Sequence, residues 1–160
     1  MTFEPEQLRR ALRTWTTGVA VIMAADESGP YGMTVNSFTS VSIEPPVISV
    51  VLQNKTHIYD MVTKTKIFGI TVLRADQREL SERFAGHIHQ HDRMDGIATQ
   101  TLSSGAPHLT EGLALLDCRV IHMHAVGENT LILAEVVDAL IRDAEDPLVY
   151  HNRGYHGLAK

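Results

Sequence analysis

"ALLDCRVIHMHAV" runs from Ala114 to Val126, "GEN" occupies Gly127 to Asn129, and "TLILAEVVDALI" runs from Thr130 to Ile141. Two long apolar runs around a three-residue loop containing glycine predict a β-hairpin. Along the first run Leu116, Cys118 and Val120 share one face, and Asp117 and Arg119 lie opposite, as on a half-buried strand. His122 and His124 continue the Cys118 face and read as core or interface histidines. A hairpin of this length organises the chain around an antiparallel sheet.

The segments outside the hairpin extend that sheet. "GVAVIMAAD" (Gly18–Asp26) is a short apolar strand that ends at the turn cluster "DESGP", and "YGMTV" (Tyr31–Val35) returns antiparallel to it. "PPVISVVL" (Pro45–Leu52) is a strand opened by two prolines, where no ladder N–H is lost from its middle, and "KIFGITVL" (Lys66–Leu73) is another. Three helices are predicted. "EPEQLRRALRTW" (Glu4–Trp15) places Leu8, Leu12 and Trp15 on one face, with acids first and arginines later, as the helix dipole favours. "THIYDMVTKT" (Thr56–Thr65) takes Thr56 as N-cap, and "ADQRELSERFAG" (Ala75–Gly86) takes Asp76 as cap and Gly86 as stop. The segment from His87 to Thr110 reads as a long irregular loop of the kind that carries function.

The fold class that results is mainly β with a few helices, an antiparallel barrel of about six strands formed as one domain over residues 1–160. "GVAVIMAA" and "VISVVL" are apolar on both faces. One face fills the barrel, and a dimer partner is expected to cover the other.

Composition narrows the function. A net charge of −5 argues against nucleic acid as the main partner. The single cysteine, Cys118, excludes an intrachain disulfide and suits a reducing compartment. The longest apolar run is far shorter than the roughly 20 residues of a spanning helix. The first residues lack a secretory pattern, so a cytoplasmic protein away from membranes is expected.

"TVNSFTSVS" (Thr34–Ser42) carries six neutral hydrogen-bonding side chains, those of Thr34, Asn36, Ser37, Thr39, Ser40 and Ser42. Such a set suits the uncharged donor and acceptor edge of a heteroaromatic ring. Taken alone, the segment is better read as a loop whose hydroxyls bond to its own backbone. "HIHQHD" (His87–Asp92) alternates three histidines but lacks a second Cys/His pair, so no metal site is expected.

"GMTVNSFTSVSIEPPVISVVL", "FGITVLRADQRELSERFAG", "APHLTEGLALLDCRV", the hairpin and "PLVYHNRGYHGL" follow one another as in a single family. The chain resembles the short-chain flavin reductases, the small components of two-component flavin monooxygenases, from about Leu8 to Leu158. The resemblance implies a homodimeric split β-barrel that binds FMN or FAD. It further implies that NADH or NADPH donates a hydride to the flavin, and that the reduced flavin passes to a partner monooxygenase. It sets Thr34, Asn36, Ser37, Ser40 and Ser42, with the backbone of Val35 and Val41, along the flavin ring and ribityl chain.

In the same way Gln53, Lys55 and Thr56 are placed at the flavin phosphate, where a helix N-terminus and a cation suit an anion. Arg83 is placed at the phosphate, and Phe84, Ala85 and Gly86 against the ring or the adenine of FAD. In the tail His151, Arg153 and Tyr155 are placed over the flavin or the dinucleotide. The alternatives are a capped surface helix at Gln53–Thr56, a solvated helix end at Arg83, and a docked C-terminal strand in the tail. The chain departs from the family at the hairpin turn. Many members read Gly-Asp-His there, with the His near the nicotinamide, whereas Asn129 occupies that place here. Asparagine cannot carry the proton, but it can hydrogen-bond a carboxamide. A flavin carrier without nicotinamide turnover is the alternative reading. A barrel oxidase of a phosphorylated pyridoxine is a weaker one, because few cations lie near the site.

Overall fold

The structure is a computed structural model that describes residues 3–87, 92–142 and 146–158. Helix α1 (Pro5–Arg13) begins with Pro5 in its first turn, where a missing N–H costs nothing, and buries none of its residues. The strands β1 (Thr17–Gly18), β2 (Ala20–Asp26), β3 (Gly29–Val35), β4 (Thr39–Ser42) and β5 (Val47–Gln53) follow in turn. Next come α2 (His57–Thr65), β6 (Ile67–Val72) and α3 (Arg78–Glu82), which runs into a π turn at Arg83–His87. The remainder is a 3-10 turn at Asp92–Met94 and the strands β7 (Thr99–Thr101), β8 (Pro107–Leu109), β9 (Ala114–Val126), β10 (Asn129–Ile141), β11 (Val149–His151) and β12 (Gly154–His156).

The main sheet is antiparallel and has seven strands in the order β3-β2-β6-β9-β10-β5-β4. A barrel of about six strands was expected from the sequence; the main sheet has seven and is not closed by pairing of its end strands. "TVNSFTSVS" splits, its start finishing β3 and its end forming β4 at the far edge, and these two end strands do not pair. Two small sheets, β1-β11-β12 and β7-β8, complete the structure.

The hairpin of β9 and β10 is as long as predicted, but its loop is shorter. Asn129 already pairs with Val126, so Gly127 and Glu128 alone make the turn, and Gly127 supplies the positive φ of 59°. Each strand carries one bulged residue, Ile121 in β9 and Val137 in β10. The bulge at Ile121 breaks the alternation counted from Cys118. Cys118, Val120 and Met123 face the core, and His122 and His124 turn out to solvent, not to the Cys118 face. Their rings stack 6.2 Å apart.

Both faces of β2 are buried within the chain. Ala20, Ile22 and Ala24 join the main core with Val50, Leu52, Phe68 and Ile132. Val19, Val21 and Met23 pack against Leu73, Phe84, Leu109 and Leu148. The chain itself thus supplies the cover for β2 that was expected from a second copy, and the segment read as an irregular loop contributes Leu109, Met94 and Ile97 to it. It contains the β7-β8 hairpin, which lies over the sheet.

Two buried contacts hold that hairpin. Asp117, expected on the open face, is fully buried, and its carboxylate accepts bonds from the Ser104 N–H at 2.6 Å and the Ser104 hydroxyl at 2.5 Å. Gly69 lies so close that an added Cβ would fall 2.3 Å from the Pro107 carbonyl oxygen. Ser103 donates its hydroxyl and N–H to Asp138. The hydroxyl first, then the Ala139 N–H, holds the Asp138 carboxyl below the ordinary 3.8. A depressed carboxyl favours folding above its unfolded pKa, and the contribution is lost as pH falls through the folded value. Asp138→Asn should therefore flatten the acid limb of stability below about pH 3.8, read by circular dichroism against pH.

Thr56 holds the N-cap position of α2 as expected, but its side chain does not cap, and the cap of α3 differs from the sequence reading. The Thr56 hydroxyl donates back to the Gln53 carbonyl at 2.7 Å instead of accepting from α2. Asp76 pairs with Arg74 at 3.0 Å, and Gln77 occupies the cap position of α3.

Candidate flavin and dinucleotide site

β3 leaves the core at Val35, and α3, the π turn and the β11-β12 hairpin rise beside it. Between them lies a cleft of about 710 Å³. Of the residues singled out in the sequence, Thr34, Val35, Asn36, Ala85, Arg153 and Tyr155 line it. Val19, Arg78, Glu82, Tyr150 and Gly154 line it as well and were not foreseen. Arg78 and Glu82 carry only the helical i,i+4 spacing of any surface ion pair, which closes here at 2.8 Å. Tyr150 and Gly154 carried a usable signal in the turn-forming "NRG", Asn152 to Gly154.

Local bonding sets the character of each wall. The Thr34 hydroxyl donates to the Ser81 carbonyl at 2.7 Å, tying β3 to α3. Tyr155 shares a 2.8 Å bond with the Ser81 hydroxyl, and the Arg78 guanidinium sits 5.5 Å over its ring. Asn36 is exposed and makes no side-chain hydrogen bond to the described residues. Ser37 bonds in both directions to Val51, donating to its carbonyl at 3.0 Å and accepting from its N–H at 3.2 Å. Two of the six neutral side chains thus bond to backbone, and Asn36 is left facing the cleft.

The other singled-out residues fall into separate places. Ser40, Val41 and Ser42 run along the edge strand β4, and Val41 is bulged out of the ladder with its backbone unpaired to β5. Gln53, Lys55 and Thr56 sit where β5 meets α2, and the hairpin turn joins them there. Gln53 pairs with Asn129, the Asn54 N–H donates to the Glu128 carbonyl at 2.9 Å, and the Thr130 hydroxyl donates to the Asn54 side chain at 2.7 Å. Ser37, clasped to Val51, lies between this cluster and the cleft. His151 shares a 2.9 Å bond with Thr16 and lines a small hollow with Arg10 and Arg13, outside the cleft.

Two placements differ from expectation. Phe84 is wholly buried in the second core, so its ring packs under the cleft and does not line it. Arg83 donates to the carbonyls of Arg93 and Asp95 at 2.8 and 2.6 Å, bracing that turn. Gly86 is exposed, with φ 104°. In "HIHQHD", residues 88–91 lie outside the described residues. Among the described residues no three His, Cys, Asp or Glu side chains gather as a metal set. Cys118 is buried, which pushes its thiol pKa up and removes it from thiolate chemistry.

The sequence pattern of the flavin reductase like domain matches residues 12–159. The chain belongs to this family. It is similar to an NADH-dependent flavin reductase of Rhodococcus, at 34% identity over 96% of this chain and 86% of that protein. An FMN reductase (NADH) of Agrobacterium fabrum is 38% identical over 89% of this chain and 79% of its own length. Among solved structures, the flavin reductase of the Pseudomonas putida styrene monooxygenase superposes with a TM-score of 0.88 at 32% identity, covering 96% of this chain and 98% of that one. The NADH:FAD oxidoreductase of Streptomyces globisporus gives a TM-score of 0.91 at 29% identity, with 100% and 98% covered. Flavin reductase membership accounts for the order of the five sequence blocks. No helix among the described residues is long and apolar enough to cross a membrane.

Proposed function

We propose that this chain is an NADH-dependent flavin reductase that takes a hydride from the nicotinamide, delivers it to FMN or FAD, and supplies the reduced flavin to a partner monooxygenase. The carrying observation is the cleft at Asn36 in a chain of this family. Its volume, about 710 Å³, lies within the range of small-molecule sites, and its walls are mainly uncharged near Thr34–Asn36. A bound flavin supplies the hydride acceptor.

The chain's own work is binding and orientation. Asn36 offers an amide to a ring edge, Tyr155 is fixed by Ser81, and Arg153 offers a cation at the rim. In this reading Ser37, Ser40, Ser42 and the unpaired backbone of Val41 extend the flavin contact along β4. Gln53, Lys55 and Thr56 take the phosphate, and Asn129, carried on the same cluster, orients a carboxamide. Hydride transfer between two stacked rings needs alignment more than an acid, so an Asn at this turn is compatible with activity.

A homodimeric split barrel is the assembly we favour. The outward face of β5 and β10 carries Val51, Leu131 and Leu133, and a second copy would cover it. The chain forms one domain in this reading, and NADH in a cytoplasmic setting is the expected donor.

Anaerobic mixing of the protein with FMN or FAD and each nicotinamide tests the proposal. Bleaching of the flavin absorbance that depends on the protein and is faster with NADH is expected. An unbleached spectrum with bound flavin would instead identify a carrier.

A further inference from the structure

His122 and His124 take no part in the cleft. Both are exposed on β9, with their rings 6.2 Å apart and inclined by 29°. Neither has an ion pair or hydrogen bond to the described residues. The ladder fixes the face they share. His124 lies directly across from Leu131 and His122 from Leu133 on β10, and these leucines lie across from Val51 and Ser49 on β5. Ile132 and Ala134 belong to the core, so the leucines between and beside them point outward, and the two histidines stand on that outward face with them. Val126 extends the same face with 66% of its surface exposed, and Val51 leaves 38%.

The charges around the pair do not offset it. Among the described residues of β10, that stretch of face carries one carboxylate, Glu135, and it lies directly across from Arg119 of β9. β5 adds neither acid nor base between Val47 and Gln53. β6 pairs with β9 no further than Ile67 and Arg119, so no β6 residue flanks the histidines. Lys66, just before β6, holds its Nζ 3.5 Å from the sulfur of Met123, which packs on the core side. Glu128 lies in the turn beyond Val126.

We propose that His122 and His124 make the association of two copies through this face depend on pH: the pair joins the contact while neutral and opens it when protonated. The inference rests on the homodimer reading, which covers Val51, Leu131 and Leu133 with a second copy. A two-fold contact sets a patch against its own image, so both histidine pairs enter it together. A neutral imidazole presents an apolar body and is accepted beside Leu and Val. A charged one must give up water, and this face supplies it no free counter-ion. Each copy also brings two like charges 6.2 Å apart, whose repulsion grows as water is excluded. The contact therefore favours the neutral form. Association is full above the ordinary histidine range, about pH 6.5, and is lost as pH falls through it.

Sedimentation velocity of the full chain at about pH 7.5 and about pH 5.5, at one ionic strength, brackets that range. The dissociation constant of the dimer should rise roughly tenfold for each imidazole that must stay neutral. His122→Gln with His124→Gln keeps polar side chains without the charge, and its constant should be the same at both values. Leu131→Asp should abolish the dimer at both, which places the contact on this face. A native constant that does not change with pH overturns the inference and leaves the homodimer reading standing. So does a response that survives in the double variant, whether it comes from another group or from unfolding seen by circular dichroism. A dimer that Leu131→Asp leaves intact lies elsewhere on the chain and overturns the inference as well. A chain already monomeric at the higher pH overturns the homodimer reading itself, and the inference with it.

Discussion

Phe84→Ala should cost the folded chain about 3–5 kcal/mol. For a protein of this length that corresponds to a fall in Tm on the order of 10 °C. The ring is fully buried among Val19, Val21, Met23, Leu73, Leu109 and Leu148. It also presses on Gly32, where an added Cβ would lie 2.9 Å from the ring, so the fit leaves little room for neighbours to collapse into a void. The next residue, Ala85, lines the cleft. The cavity would open directly beneath the cleft wall, and flavin KM should rise along with the loss of stability. Phe84→Leu, which refills part of the volume, should recover much of both. Thermal melts and flavin titrations of the two variants decide the matter. An unchanged Tm with weakened flavin binding would put the ring in the site and not in the core.

Gly69→Ala is the second large effect, and it comes from overpacking. The new Cβ would meet the Pro107 carbonyl oxygen at 2.3 Å and the His108 ring at 2.7 Å. Neither neighbour is free to yield. His108 is itself buried, with Nε2 at 3.2 Å from the Leu116 carbonyl, and Pro107 is buried backbone in β8. The β7-β8 hairpin must lift, which exposes Asp117 and the outer face of β6. The cost should reach about 3 kcal/mol, the upper part of the usual range for overpacking. Limited proteolysis between residues 99 and 110 should accelerate in the variant. Gly157→Ala, where nothing lies within 4 Å, is the control and should change neither quantity. Equal melting temperatures for the two variants would show that the hairpin rides loosely.

These two residues also mark where reading the sequence stopped. Nothing local at Gly69 announces that Pro107 and His108, far along the chain, rest on it. The β-branched runs and the glycine turn sufficed to read β2, β5, β6 and the β9-β10 hairpin, because their signal is periodicity and turn chemistry within a short window. The bulges at Ile121, Val41 and Val137 were illegible, because an extra residue changes no composition while it shifts the face of everything beyond it. The cover over β2 was assigned to a second copy because Leu73, Leu109 and Leu148 reach it only through the tertiary fold. Of the residues that line the cleft, Thr34, Asn36 and Tyr155 were named by resemblance. Val19, Arg78 and Glu82 were not, since each belongs to an element whose local pattern already explained it.

The join between the hairpin turn and the start of α2 has a consequence for how such a chain can change. Glu128 and Thr130, on either side of Asn129, are both bonded to Asn54, and Asn129 itself is held by Val126 and Gln53 across two ladders. The backbone at Asn129 is therefore fixed by its neighbours and owes nothing to its own side chain. Such a position works as a socket. Its occupant can be exchanged over generations with the rim left standing, so chemistry at this turn can drift while the scaffold stays put.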